Sequence, residues 1–477
     1  MSILSILDIG KTALNAQRLA LEVTSENITN VNTAGYSRQT TVLETAPVSL
    51  ERGFPLGSGV NVAEVRRAYD DFLQRQLKSE NSTFGKNQTQ LSSMTRVEQL
   101  FNDLSADGLG ISLQKFFKSW QDLTANPQGQ PERQAVLSQA QQVVEDFHRL
   151  NNYLSDVKRD ANQTLEGLTS DINDKLTQVA SLNDQIKQIE LSSGSANELR
   201  DRRDLLIREL AQKIGVNYLE QTDGTINVSL VSGQPLVDGN KAAVFSLVPN
   251  PLNGSFYDIH ATSPGGSTAV NITSVVGGAN NSLGEMGGVL HVRDTLVNGF
   301  LNDLDELAFT LSNEVNTLHS TGFGLNGSTG LDFFSSAAFP AGYSGPGGIS
   351  LGIASANDIA AADADPALGG TGNNKNGKNI ASLYDKLLPM SAGTMTLSGF
   401  YNSLVGKVGV AVQEAKRGAD LSAGILKQLE NQRESNSGVS LDEELANLIK
   451  YQKAFEGAAK VINTGAEMMD TVLGLVR

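Results

Sequence analysis

Both ends of the chain carry an apolar side chain at every seventh position. Leu7, Leu14, Leu21 and Ile28 make the first series; Leu441, Leu448, Phe455, Ile462, Met469 and Val476 make the second. Seven residues are two helical turns, so each series is one stripe along a helix, and such a stripe calls for a partner helix. The simplest partner for each end is the other end. The chain is then expected to begin and finish in one helical pair, with its remaining mass looped out between. The stripes are also wider than a two-helix contact needs: Ile6, Ala13 and Ala20 widen the first, and Leu445, Ile449, Val461, Val472, Leu473 and Leu475 the second. Each buried Leu-like side chain contributes about 1.5–3 kcal/mol, so uncovered ones drive further association. Two readings stay open. One is an ordinary pair inside a monomer. The other is a pair that packs against copies of itself or close homologues, with both rods ordering only on assembly.

Between the stripes the pattern changes several times. Gly35 is placed to end the first helix. Tyr36–Leu43 and Gly59–Val65 read as an extended arm or β-ribbon, broken by Pro47 and Pro55. Asp70 or Asp71 caps a helix to about Leu104. A short helix carries Phe116, Phe117 and the only tryptophan, Trp120. A long helix follows Pro131 to about Leu191, and another spans Asn197 to about Lys213. Asp223-Gly224 marks a hairpin in a β-rich stretch. Helical spacing returns from Val289 to Leu318 and again from about Ser398 to Arg433, separated by a Gly-, Ala- and Ser-rich stretch. The fold class expected is mainly α with β inserts: paired N- and C-terminal coiled-coil helices, an elongated helical bundle and a small all-β outer domain. The expected division is 1–35 with 440–477 as the terminal pair. Segments 36–214, 285–322 and 395–439 form the bundle, 215–284 the β-rich domain and 323–394 a loopy insert.

Composition narrows the function. A net charge of −15 with no basic cluster argues against nucleic acid. There is no cysteine, which removes disulfides and thiolate metal sites. The N-terminus lacks the basic start and cleavage site of a secretory signal, and no stretch approaches the ~18 apolar residues of a membrane span, so no membrane insertion is expected. Gly322–Gly327 matches G-x-G-x-x-G but follows a helix rather than a strand. Gly348–Gly352 matches G-x-S-x-G, yet His148, His260, His291 and His319 all precede it, against the hydrolase order. The acids Asp442, Glu443 and Glu444 suit the first turn of a helix. The chain is therefore not expected to be an enzyme, and no catalytic residue, cofactor or metal site is assigned.

Asn27, Asn30, Asn32, Gly35 and Tyr36 form the densest polar patch near a stripe. Asparagine donates and accepts, so the patch is either a plain helix cap or a network that fixes the angle at which the arm leaves the rod. Ser25-Glu26-Asn27-Ile28-Thr29-Asn30-Val31-Asn32-Thr33-Ala34-Gly35-Tyr36-Ser37-Arg38-Gln39 resembles the N-terminal signature of the bacterial flagellar rod, hook and hook-associated proteins. Its Gly-Tyr-Ser-Arg-Gln ending resembles the branch at the first hook–filament junction. Further matches run the length of the chain: Gly59-Val60 through Arg67–Asp70, Phe116–Trp120, Asn197–Asp204, Gly233–Val237, Gly322–Gly327, Leu441–Leu448 and Tyr451–Phe455.

The resemblance implies a structural, non-enzymatic axial subunit exported by the flagellar type III route, and hence an extracellular place in the flagellum without a cleaved signal. It implies assembly with itself through the terminal helices. Hook protein is the implied partner on one side, and a second junction protein or flagellin on the other. It also implies an export chaperone that holds the C-terminal helix. An alternative from another class is a surface adhesin acting through the β-rich insert.

Overall fold

The structure is a computed structural model that describes residues 3–47, 49–51, 54–101, 108–192, 194–278, 283–335 and 346–474. Val476 and Leu475 of the second stripe lie outside the described residues, as does part of the loop before Leu109.

Helix α1 (Ile3–Thr29) contains no proline and ends in a tight turn. Gly35 closes that turn at φ +85°, a left-handed conformation that favours glycine. An arm follows. Strands β1 (Gln39–Thr45) and β4 (Val60–Arg67) pair antiparallel, with Gln39 opposite Arg67 and a bulge at Val42/Leu43. The arm's tip is the small antiparallel pair β2 (Ser49–Glu51) and β3 (Phe54–Leu56). Helix α2 (Asp71–Leu100) starts where the Asp70 carboxylate accepts the Leu73 N–H at 3.1 Å. Helices α3 (Leu109–Ala125), α4 (Gln130–Leu191) and α5 (Asn197–Lys213) follow.

α4 spans 62 residues and is the spine of the molecule, roughly 90 Å long at 1.5 Å per residue. Its stripe Phe147, Leu150, Leu154, Val157, Ala161, Leu165, Leu168 and Ile172 is buried throughout, but it serves two different cores. The N-terminal half packs with α3, with α8 (Val297–His319) and with the start of α11 (Leu397–Ser437). The C-terminal half packs with α5, with α7 (Gly284–His291) and with two sheets. α7 runs into α8 through a π-turn at Val292–Leu296.

The first sheet orders β5 (Val216–Glu220), β6 (Ile226–Leu230), β7 (Pro235–Asp238) and β8 (Lys241–Ala242) as consecutive antiparallel neighbours. In the second, β10 (Phe256–Thr262) lies between β9 (Val244–Asn250) and β11 (Ala269–Asn271). A short helix α6 (Thr273–Gly277) leads on to α7. Alternation on β6 turns Ile226, Val228 and Leu230 onto α4. Asn183 of α4 fastens the sheet: its amide donates to the Ile226 and Gly239 carbonyls at 2.8 and 2.7 Å, and its oxygen accepts from the Ile226 N–H and from Arg203.

Residues 323–394 hold the short helices α9 (Pro366–Gly369) and α10 (Lys375–Ala381) and the hairpin β12 (Leu388–Met390)–β13 (Gly393–Met395). Little of the segment is regular, but it is far from peripheral. Phe333, Phe334, Ile349, Ile359 and Ile380 are fully buried in the first core. Phe333 packs 5.5 Å from Trp120 and 5.3 Å from His319, centroid to centroid. His319 ties the segment down. Its Nδ1 bonds the Leu331 carbonyl at 2.7 Å and its Nε2 accepts the Ala360 N–H at 3.0 Å, which fixes a neutral ring. Burial accordingly holds its pKa below the ordinary value.

Candidate assembly interface

α12 (Leu441–Gly474) returns the chain to α1, and the two helices pack side by side. They run antiparallel: Asn27 meets Glu444, Gly10 meets Ile462, and Leu7 meets Gly465. The approach is close. A methyl group added to Gly10 would stand 2.7 Å from Ile462 Cγ1, and one on Gly465 would stand 2.9 Å from Leu7 Cδ2.

The contact is made chiefly by small side chains. On α1 the buried residues are Gly10, Ala16, Ala20, Val23, Thr24 and Asn27. On α12, among the described residues, only Glu444, Ala458 and Gly465 are buried. The seven-residue series fills this contact out to its edge, with Leu7 set on Gly465 and Ile462 on Gly10. Leu7, Leu14, Leu21 and Ile28 are half-buried, as are Leu448, Phe455, Ile462 and Met469, and Leu441 is exposed. Beyond the edge the helix is bare. Leu445 and Ile449 on one flank are 50% and 59% exposed, and Val461 and Met468 on the other are 43% and 49% exposed. Val472 and Leu473 extend past the start of α1 and are exposed as well. Uncovered apolar strips of this kind on the two flanks mark a contact surface rather than a finished one.

The Asn-rich segment sits where five elements meet. Asn27 uses every hydrogen-bonding position it has. Its Nδ2 donates to the Gln39 carbonyl at 2.8 Å and to Glu444 Oε2 at 3.1 Å. Its Oδ1 accepts the Gln39 N–H and the Tyr36 hydroxyl, both at 2.9 Å. One side chain thus locks the first helix, the arm and the last helix together. Asn30 completes the helix end, donating to the Glu26 carbonyl and accepting from Thr33. Asn32 is exposed. Gly35 lies against α5, where an added Cβ would stand 3.2 Å from Leu205 Cβ. Burial pushes the Tyr36 hydroxyl above its ordinary pKa, so it remains a donor.

The segment's other contacts reach motifs far away in the sequence. The Ser37 N–H donates to Asp201 at 2.8 Å, and Arg67 pairs with Asp201 and Asp204 at 2.8 and 2.6 Å. Burial pushes the Asp201 carboxyl up, against the pull of Arg67. Asn197 donates to Gln39 Oε1 and to the Val65 carbonyl. Arg433 of α11 donates to the Tyr36 carbonyl at 2.9 Å, Ser437 accepts the Arg38 N–H at 2.8 Å, and Arg38 pairs with Glu443 at 2.8 Å. Glu26 on α1 faces Glu198 on α5; a hydrogen bond between these carboxyls, followed by burial, raises Glu26 to about 7.

Of the residues singled out in the sequence, the structure brings Asn27, Gly35 and Tyr36 into this hub and leaves Asn32 outside it. Sequence reasoning missed Glu444 as a buried acceptor, because a first-turn acid is explained by the helix dipole alone. Arg433 carried no signal in its own surroundings. Gly322–Gly327 forms a turn after α8, closed by Gly324 N–H to Ser328 O at 2.7 Å. Among the described residues no cluster of metal-binding side chains occurs, and no helix is long and apolar enough to cross a membrane.

Comparison with known proteins points the same way along the whole chain. The description "Flagellar hook-associated protein FlgK helical domain" matches residues 94–334. "Flagella basal body rod protein" matches 7–36, and "Flagellar basal body rod FlgEFG protein C-terminal" matches 430–475. The chain is 28% identical to flagellar hook-associated protein 1 of Salmonella typhimurium, over 99% of this chain and 100% of that one. The corresponding Bacillus subtilis protein is 28% identical over 98% and 97%. A solved structure, the flagellar hook junction protein FlgK of Burkholderia pseudomallei, superposes with a TM-score of 0.65 at 18% identity. It is matched over its full length and covers 76% of this chain, which bears on the fold.

Proposed function

This chain belongs to the FlgK family of flagellar hook-associated proteins, and on that premise we propose that it is a junction subunit that assembles between hook and filament through its paired terminal helices. A structural role in the flagellum is common ground for the family. The finer reading rests on one observation: the α1–α12 pair leaves Leu445, Ile449, Val461 and Met468 uncovered. Burying one such side chain is worth about 1.5–3 kcal/mol, so covering four of them in a neighbour's contact favours stacking strongly. The hub around Asn27 sets the direction in which the bundle leaves that stack, since it fixes the arm, α5, α11 and α12 to α1 at once.

Hook protein on one side and a second junction protein or flagellin on the other are the proposed neighbours. The subunit reaches them by type III export without a cleaved signal. An export chaperone that shields the apolar flanks of α12 before assembly fits the same exposed surface. The terminal pair, residues 1–35 and 440–477, is the assembling unit in this reading, and its helices become fully ordered only against neighbours. Removal of residues 440–477 tests it. Cells carrying that truncation should build hooks, release filament protein into the medium and fail to swim; normal filaments would refute the proposal.

A further inference from the structure

The two bare flanks of α12 are unlike each other. The first is a strip of large side chains, Leu441, Leu445 and Ile449, all exposed. The second runs through Ala454, Gly457, Val461 and Met468, exposed as well but low in the middle. At 3.6 residues per turn, Leu445 and Gly457 point about 120° apart around the helix, and so do Ile449 and Val461. One straight neighbour therefore cannot cover both strips. Gly457 makes a seat in the second strip: a Cβ there would meet nothing within 4 Å. Gly10 and Gly465, by contrast, are filled by Ile462 and Leu7 in the α1–α12 contact. Glycine inside a helix is unfavourable relative to alanine, and it is tolerated where another group must approach the backbone closely. The charges differ too. Asp442 borders the first strip, while Lys450 begins the second. Among the described residues Lys450 makes no ion pair and lies over the Tyr451 ring at 5.5 Å.

We propose that the two strips cover one another between copies: Leu445 of one copy seats on Gly457 of the next and Ile449 on Val461, with the two α12 helices parallel and staggered. The inference rests on the reading of the terminal helices as the subunit contact. One offset serves both pairs, since each spans twelve residues, and it displaces neighbours by about 18 Å along α12 at 1.5 Å per residue. The same offset brings Lys450 of the second copy to within one turn of Asp442 of the first, where opposite charges can meet. A second copy is the occupant because every subunit carries both halves of the match, large against small and acid against base. Contact between unlike faces is heterologous, so it repeats from copy to copy instead of closing on a pair. It also keeps every copy pointing the same way, as a subunit with different neighbours on its two sides requires.

Single-cysteine variants of the full-length chain, which has no cysteine of its own, read the contact. Ile449→Cys and Val461→Cys are assembled on isolated hooks, each alone and as an equal mixture, and treated with a short bis-maleimide. The mixture should give a cross-linked dimer, and neither variant alone should. Cross-linking of Ile449→Cys with itself would mean that like strips face each other. Occupied hooks with no cross-link in the mixture would mean that something other than a second copy covers the strips. Either result overturns the inference. Gly457→Leu is a second arm that needs no thiol. Its side chain enters open space in the free subunit, so the melting temperature should hold or rise, while the subunit concentration that half-saturates hooks rises about tenfold or more. If Gly457→Leu occupies hooks like the parent while Ile449→Glu does not, the staggered contact fails and the helix reading stands. If Ile449→Glu also occupies them normally, the helix reading fails, and the inference with it.

Discussion

Trp120, Phe147 and Phe333 are sealed on every side, whereas the apolar residues of α12 are covered along one edge only. Both regions are long amphipathic helices, so helical pattern alone does not set them apart. The bundle has enough neighbours to close its stripes: α4 finds α3, α8 and α11 at one end and α5, α7 and two sheets at the other. The terminal pair has, besides itself, only the arm and the hub at one end of α1. Its contact sets Ile462 on Gly10 and Leu7 on Gly465, which brings the backbones close but leaves Leu445, Ile449, Val461 and Met468 uncovered. Stability resides in the first region and association in the second.

That division breaks most visibly if single substitutions are compared across it. Phe333→Ala, which empties a sealed aromatic site, should cost about 3–5 kcal/mol of subunit stability in thermal or denaturant unfolding. Ile449→Glu should leave the same unfolding curve within about 0.5 kcal/mol, because its site is open to water in the free subunit, yet should abolish filament attachment. A melting loss from Ile449→Glu as large as that from Phe333→Ala would erase the distinction. The hub lies between the two regions. Asn27→Ala removes four hydrogen bonds and strands Glu444, at about 2–4 kcal/mol locally. The expected outcome is faster proteolysis of both terminal helices, trimming to near residues 40 and 435, while the bundle melts as before.

Smaller effects come from pH, and they run in opposite directions in the two regions. His319 has a lowered folded pKa, so the unfolded chain binds the extra proton; its contribution is complete above about 6.5 and is lost as pH falls below that value. The bundle should therefore melt earlier in mild acid, with the loss reduced in His319→Gln. Glu26 has a folded pKa raised from 4.5 to about 7, so its contribution is complete below 4.5 and is lost as pH rises through 7. Hydrogen exchange at the end of α1 should quicken above neutral pH, and Glu26→Gln should remove that dependence.

Much of this was legible in the sequence because periodicity reports helices well. α5 matches the expected Asn197–Lys213, and α4 begins and ends within a residue or two of its expected bounds. The seven-residue series did mark the helices that pair, but the most buried positions fall on the adjacent small residues. Periodicity finds large apolar side chains, while close packing selects for small ones. The role of residues 323–394 was not legible, since Phe333, Phe334, Ile349 and Ile359 reach the core from irregular backbone with no repeat to announce them. Nor was the convergence at Asn27. Its partner Glu444, and Asp201 and Arg433 that hold the neighbouring Ser37 and Tyr36, lie far away along the chain, and only the fold adds them together. The β-rich stretch carries a related lesson. Val228, Phe245 and Ile259 share one core with Leu176 and Leu210, so excising residues 216–283 would open the bundle. A surface change such as Leu252→Ser, at a site 97% exposed, is the cleaner probe of binding through that stretch.

The chain has no cysteine, so a single thiol can report on one position. Ile449→Cys carrying an environment-sensitive fluorophore would follow the bare flank of α12 directly. In dilute free subunit the probe should emit as in water, and on hook ends its emission should shift to the blue and resist aqueous quenchers. A probe equally wet in both states would mean that no neighbour covers the strip, and assembly through the terminal pair would be contradicted.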